Sequence, residues 1–569
     1  MKWPREALFV LVLLLAGCAP TSGTRTPVQN QPGQVTGPKV LTVAVNEDPK
    51  NFWDGVNGGG GGGSRELSHF VNQYLAAIGP DGTPTPRLLA EFPSTDAGTW
   101  TVSPDGRMEV TYRLRPGVTW HDGTPFTADD MVFSWEVDRD PAIPNGNQSA
   151  VKLIEQMVAT DERTAVATWS QTYPFADRLE HREFYPLPAH LLERSYRESK
   201  DSFLAQPYFS DEYVGLGPFK VKSWEHGSSL DLDANESFFL GRPKLDRIHV
   251  LFIPDPNTAV ASMRAGAINV FLPTGGPDWD QLQPLDQEWK ATGKGTVVAE
   301  TIRWKFAEPQ KSRLADPGDL ADPRVRQALL LGINRQEMAS SLLGEMGNVA
   351  DSWEHPKFAV YAQLKDSITQ YPFDPKRATA QFAEAGWTPG PDGTLQKNGV
   401  PFHTVITYEQ NQEKEATIIR QDLKAVGVDG DLEVISNLVL RDAELRASYT
   451  GIGIAQNPMG ALSAVRRFAS DQIPTAANRF AGTNRGSFTN ADWDDIGKRL
   501  RTALLDSQRI DLERDLLTVF SAQLPALPLI YEIQAVPVAG FKGLIPITGV
   551  PHTGNIMHTT NAHEWELIQ

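Results

Sequence analysis

Cys18 is the only thiol in the chain, and it follows Leu15-Ala16-Gly17. That is a small-residue site of the kind at which a leader is cut and the new terminal cysteine takes a diacylglycerol. A free thiol or an intermolecular disulfide is the other chemistry open to it. The constellations that would mark an enzyme do not turn up: there is no Gly-x-Ser-x-Gly elbow, no His-Glu-x-x-His and no cysteine pair. The 11 histidines are scattered. His181 and His190 are too far apart for one helical face, and His552 and His558 converge only if a loop brings them together, so neither a metal nor a cofactor is implied. Carboxylates are plentiful, and counting alone leaves open a pair flanking a glycosidic bond in an extracellular carbohydrate-active enzyme.

The elements around these residues set the context. Lys2 and Arg5 precede an apolar run from Ala7 to Leu15, too short to serve as a finished membrane span, so residues 1–17 read as a secretory leader. Residues 18–39 are rich in Thr, Pro, Gly, Gln and Ser and form a tether that cannot bury enough apolar surface to order itself. A net charge of -17 argues against nucleic acid, whose phosphates require a basic stripe. Val40-Leu-Thr-Val-Ala-Val45 is the pattern of a strand buried on both faces of a mostly parallel sheet, and it opens an α/β lobe. The glycine run Gly58–Gly63 lacks the lysine and spacing of a phosphate loop and reads as a surface loop. Farther on, Phe402–Tyr408, Glu413–Val426 and Asp431–Ile435 alternate strand, helix and strand, a βαβ unit that belongs to a second lobe.

Between these lobes the chain carries Leu114-Arg-Pro-Gly-Val118, Trp120-His-Asp-Gly123 and Thr127-Ala-Asp-Asp130. Gly215-Leu-Gly-Pro-Phe219, Asn235-Glu-Ser-Phe-Phe239 with Gly241–Asp246, and the helix-to-strand passage Ala261–Val270 follow. Asp322-Pro323 with Arg324–Leu329, and the Asp374-Pro375 helix ending in Ala385-Gly-Trp387, complete the series. In this order the segments resemble the family 5 extracellular solute-binding proteins, which include the oligopeptide- and dipeptide-binding subunits of ABC importers. The resemblance implies an α/β fold of the periplasmic-binding-protein type II, two hinged lobes with an extra domain inserted in the first. Carried onto this chain it places lobe I at 40–60, 205–300 and 525–569, the extra domain at 61–204, and lobe II at 301–524. It implies a binding protein and not an enzyme, held at the cell membrane by its lipid with its body in the periplasm or at the extracellular face. It would work as a monomer with ABC permease and ATPase subunits. An oligosaccharide- or nickel-binding member of the same family is the alternative to a peptide binder.

Ligands of open α/β sheets lie beyond the carboxyl ends of the strands. That rule selects Asn51, Phe52 and Trp53 after the first strand, Trp304 at the end of a connector, and Tyr408 with Gln410 after the strand from Phe402. Trp353 lies in a loop that the resemblance brings toward the cleft. Arg324 and Arg326 sit at a helix start, where structural pairing is the better reading. Peptide-binding relatives hold the ligand's α-ammonium with an aspartate, and the matching segment Tyr449–Gly460 contains no carboxylate. Unless Asp351, Glu354 or Asp442 swings in, a desolvated ammonium there lacks a countercharge, a cost of several kcal/mol. The expectation is that Trp304, Trp353 and Tyr408 wall the ligand while Gln456 and Asn457 orient one that need not carry a positive end; the alternative is that Asn457-Pro458 only makes a turn.

Overall fold

The computed structural model describes residues 37–53, 63–143, 150–181, 183–273, 276–311, 319–436, 442–544, 546–547 and 557–568. Cys18, almost all of the tether and leader, and most of the glycine run lie outside them. Residues 39–569 form one compact unit.

Its frame is a sheet of ten strands: β1 (Val40–Val45), β2 (Phe219–Glu225), β3 (Ser229–Ala234), β4 (Arg247–Phe252), β5 (Val270–Phe271), β6 (Thr296–Pro309), β7 (His403–Glu409), β8 (Asp429–Ile435), β9 (Ile452–Pro458) and β10 (Leu527–Val538). In space they run β8-β7-β9-β6-β10-β5-β1-β4-β3-β2. Among the described residues only β6 and β10 cross from one half to the other, paired antiparallel from Thr296↔Val538 to Ala307↔Leu527. The β-branched run at β1 pairs parallel with both β4 and β5 and has four of its six residues buried and none exposed, as suits a central parallel strand. On the far side β7 pairs parallel with β8 and with β9.

The first half carries a separate four-stranded antiparallel sheet, Trp100–Val102, Met108–Arg113, Thr164–Trp169 and Ile154–Asp161 in spatial order. The helix Ala128–Arg139 covers it, opened by a reciprocal Thr127–Asp130 capping box. In the second half Asp322 and Asp374 each accept a backbone N–H at the start of a helix with proline at its first position. Gly386, at φ 89°, ends the second of these in the left-handed region. Gly215 and Gly217 are required for a reason other than a left-handed turn. Their φ values are ordinary, but a Cβ at Gly215 would stand 2.0 Å from the Val71 carbonyl oxygen, and one at Gly217 would stand 2.3 Å from the Val71 carbonyl carbon. They are required for close backbone approach.

Candidate ligand cleft

Strand direction places the cleft. β1 and β6 run the same way, whereas β7 and β9 run against β6. The carboxyl ends of β1, β4 and β5 therefore point at the second lobe, and those of β7, β8 and β9 point back at the first. Ligands of such sheets sit beyond these ends. Between them the crossing strands lose regular register twice, between Thr301 and Arg303 and between Lys305 and Phe306. Bulges at those points loosen the ladder where a hinge has to bend.

The lobes touch across this gap. Lys414, at the start of the helix Glu413–Ala425, pairs with Asp280 at the start of the helix Trp279–Thr292. Beside them Lys305 holds Glu415 at 2.6 Å, and Arg303 faces Glu532 at 3.7 Å across the two crossing strands. Burial alone would depress the Lys305 ammonium, but Glu415 and Glu532 outweigh it and raise its pKa. At the other end, the Arg509 guanidinium lies 5.3 Å from the Phe175 ring centre, and Leu504 packs on the core of the four-stranded domain.

Four of the aromatic residues expected at the ligand, Phe52, Trp53, Trp304 and Trp353, are sealed inside the lobes. Phe52 packs 4.9 Å from both Tyr213 and Trp224, and Trp53 stacks 5.6 Å from Phe209. Trp304 and Trp353 have no exposed surface; they meet Phe520 at 5.7 and 5.2 Å, and Trp353 Nε1 donates to Glu513. The correction has a simple cause. After β1 the chain turns back into its own lobe, and Trp304 projects from the sheet face that the helices of the second lobe cover. Tyr408 is mostly buried but lines a cavity, Gln410 is exposed at the carboxyl end of β7, and Gln456 is half-buried opposite Lys305. Asn457 donates through Nδ2 to Ser463 Oγ and to the Pro458 carbonyl, both at 3.1 Å, so its amide nitrogen is engaged locally.

The three acids that could have supplied a countercharge are also engaged. Asp351 accepts from Arg335, Asp442 caps the helix Ala443–Ala447, and Glu354 is buried against Glu513. Burial and the neighbouring Glu513 carboxylate hold the Glu354 carboxyl well above its usual range. Arg324 pairs with Asp322, while Arg326 spends its guanidinium on the carbonyls of Leu320, Gln523 and Leu524. Both are structural, though only the first is an ion pair.

The cavity that Tyr408 lines belongs to the second lobe. Its walls are Thr407–Glu409 and Ile435 at the carboxyl ends of β7 and β8, Gly453–Ala455 of β9, Glu308, Tyr449, and three arginines, Arg446, Arg467 and Arg485. No sequence pattern unites these arginines. Only the turn of the chain after Asp442 and the loop before Phe488 bring them to one wall.

Residues 93–465 match the bacterial extracellular solute-binding proteins, family 5, middle region. The chain belongs to this family. Among relatives, the di/tripeptide-binding protein 2 of Pseudomonas aeruginosa is 25% identical over 95% of this chain and 97% of its own length. The oligopeptide-binding protein AppA of Bacillus subtilis is 29% identical over 58% of this chain, and the match spans 59% of AppA. The solved structure of the periplasmic EDTA-binding protein EppA superposes with a TM-score of 0.75 at 20% identity, covering 94% of this chain and 97% of EppA. That likeness shows the fold.

As a family 5 solute-binding protein the chain is built to hold a solute. Among the described residues no group of three His, Cys, Asp or Glu side chains could hold a metal ion, and no helix is long and apolar enough to cross a membrane. His552 lies outside the described residues. His558 bonds the carboxylates of Glu66 at 3.0 Å and Glu300 at 2.8 Å. Burial disfavours its charge, but those two hydrogen bonds prevail and raise its pKa to about 10.

Proposed function

We propose that this chain is the ligand-capturing subunit of an ABC importer. It closes its two lobes on a small polar solute, a peptide or a ligand of comparable size, and delivers it to a membrane permease driven by an ATPase. It acts as a monomer and has no catalytic role. A diacylglycerol on Cys18 holds it at the cell membrane, with its body in the periplasm or at the extracellular face.

The observation that carries this reading is the sheet. Among the described residues two strands join the lobes, their pairing shifts register between Thr301 and Arg303 and again between Lys305 and Phe306, and the carboxyl ends of the parallel strands of each lobe face the other across that stretch. Ligand binding then lowers the free energy of the closed form by whatever it gains from touching both lobes at once. At a hundredfold excess over its dissociation constant a true ligand adds about 2.7 kcal/mol to stability. A thermal-shift screen of peptides, oligosaccharides and metal chelates in which no midpoint moves would count against capture. For the anchor, Cys18→Ser should leave the chain out of the detergent phase on partitioning; a variant as membrane-bound as the parent refutes it.

The ligand type follows from the absence of an acid at Tyr449–Gly460 and the engagement of Asp351, Glu354 and Asp442. A ligand that presents amides, hydroxyls or a blocked terminus suits Gln410, Gln456 and Asn457 better than a free ammonium does. Calorimetry of amino-acetylated against unmodified peptides tests this, and a strong preference for the free amine refutes it.

A further inference from the structure

The hairpin of Ala76–Ile78 and Pro84–Pro86 pairs from Ala76↔Pro86 to Ile78↔Pro84 and stays a sheet of two strands. A proline at each end of its second strand removes N–H groups that a further strand would need there. The carboxyl-terminal stretch His558–Glu564 docks on the helix Ser64–Val71 instead, through Glu66. Between the hairpin and this carboxyl-terminal segment lies a cavity of about 180 Å³. Ile78, Pro80, Ile547 and Met557 give it an apolar wall. No second-lobe residue is among its described lining residues, so closure of the lobes does not build it.

The polar groups on the wall are nearly all committed. His558 gives one nitrogen to Glu66 and the other to Glu300, the Thr560 hydroxyl donates to the Met557 carbonyl at 2.8 Å, and Asn561 Nδ2 donates to the Gly543 carbonyl at 2.9 Å. Arg87 is the exception. Its backbone carbonyl accepts from Arg115 Nε at 2.8 Å, but its own Nε is buried without a hydrogen-bond partner, and its side chain makes no ion pair among the described residues. Glu564, the only acid among the described lining residues, has a side chain 58% exposed and stands 3.8 Å from His563. Burial lowers the Arg87 pKa, Glu564 at longer range opposes that, and Arg115 adds to it. A guanidinium that keeps its proton thus turns an unmet donor toward a largely apolar hollow, and an unmet buried donor destabilises the fold.

We infer that this first-lobe cavity is a binding site for a small apolar carboxylic acid, its ring or branched chain between Ile78, Pro80, Ile547 and Met557 and its carboxylate on Arg87. The size fits, since an apolar cavity of about 150 Å³ takes benzene, and about 180 Å³ leaves room for a carboxylate beside the ring. The chemistry fits as well. Guanidinium and carboxylate match as charged donor and acceptor, and the bond gains strength where apolar side chains keep water away. A compact inorganic anion would leave the apolar wall uncovered, and a hydrocarbon would leave the Arg87 donor unmet. The ligand bridges the hairpin to the carboxyl-terminal segment, whose His558 holds Glu300 of the crossing strand β6. Binding here is separate from solute capture and does not depend on that reading.

The test titrates sodium benzoate into the full chain at constant ionic strength, read by calorimetry and by the thermal midpoint. A saturable rise in midpoint is expected, with benzoate bound about tenfold or more tighter than acetate, which lacks the ring, and than benzamide, which lacks the charge. Arg87→Gln should bring benzoate down to the level of benzamide. Thr85→Phe is the second variant: position 85 is an exposed strand residue on the rim, where a ring is tolerated and reaches into the cavity. It should weaken benzoate by about tenfold while leaving the ligand-free midpoint where it was. Either variant decides the matter if the other does not fold. Absence of a saturable benzoate response in the parent overturns the site, and so does a response that persists undiminished in Arg87→Gln or in Thr85→Phe. Acetate or benzamide binding as tightly as benzoate overturns the assignment of an apolar carboxylic acid.

Discussion

Two buried acids on the crossing strand β6, Glu300 in the first lobe and Glu308 in the second, meet opposite circumstances. Glu300 accepts the Ile547 N–H and His558 Nε2, and His558 passes its other nitrogen to Glu66, which also takes the Thr559 hydroxyl and N–H. Every charge in that network has a partner inside the protein. Glu308 serves one arginine of three and leaves the others facing a cavity. The difference separates two uses of buried charge. A closed network fixes the carboxyl-terminal segment to the helix Ser64–Val71 and to the crossing strand, whereas an open one holds unspent hydrogen-bonding capacity.

The largest expected effect is on the closed side. His558→Ala leaves Glu66 and Glu300 buried without their shared cation and should cost about 3–5 kcal/mol in urea unfolding, unchanged by added salt. A loss below about 1 kcal/mol would mean that the network is not the tie described here. Next comes pH. The folded pKa of His558, about 10, lies above its unfolded value near 6.5, so its stabilisation is complete below pH 6.5 and is lost as pH rises toward 10. Glu66 has the opposite sign: its pKa is lowered in the fold, so its share is present above pH 4.5 and is lost as pH falls below that. At 1.36 kcal/mol per unit, the alkaline arm to pH 9 is worth on the order of 3 kcal/mol and should vanish in His558→Ala.

On the open side, Glu308→Gln should cost about 2 kcal/mol and, unlike His558→Ala, should regain part of that loss in 0.5 M salt, because ions reach a cavity that opens to solvent. Equal salt response in the two variants would erase the comparison. The smallest effect belongs to the exposed ion pair between the lobes. Asp280→Asn should change stability by less than about 0.5 kcal/mol. It should nevertheless enlarge the radius of gyration in solution scattering as the closed form loses a contact, and an unchanged radius would show that the pair does not contribute to closure.

Much of the frame was legible along the chain because its signals are local. The apolar run at Val40–Val45, the Asp-Pro helix starts at Asp322 and Asp374, and the strand–helix–strand order from His403 to Ile435 each depend on neighbours within one turn or one pleat. The ordered motifs from Leu114 to Trp387 carried the family for the same reason. The aromatic walls were not legible. An aromatic after a strand end points into the cleft or back into the lobe depending on which way the next loop turns, and Phe52, Trp53 and Trp353 turned inward, while Trp304 lies within β6 on the face that the second-lobe helices cover.

The sequence by itself determined the kinds of elements, their order and the family, since hydrophobic period, capping residues and turn chemistry act over a few residues. It also determined that the segment Tyr449–Gly460 carries no acid. Tertiary structure alone decided which charges are closed off and which remain open. Glu66, Glu300 and His558 stand more than 200 positions apart and Glu308 stands more than 150 from Arg467 and Arg485, and partners at such separation are chosen by the packing of whole lobes around two crossing strands.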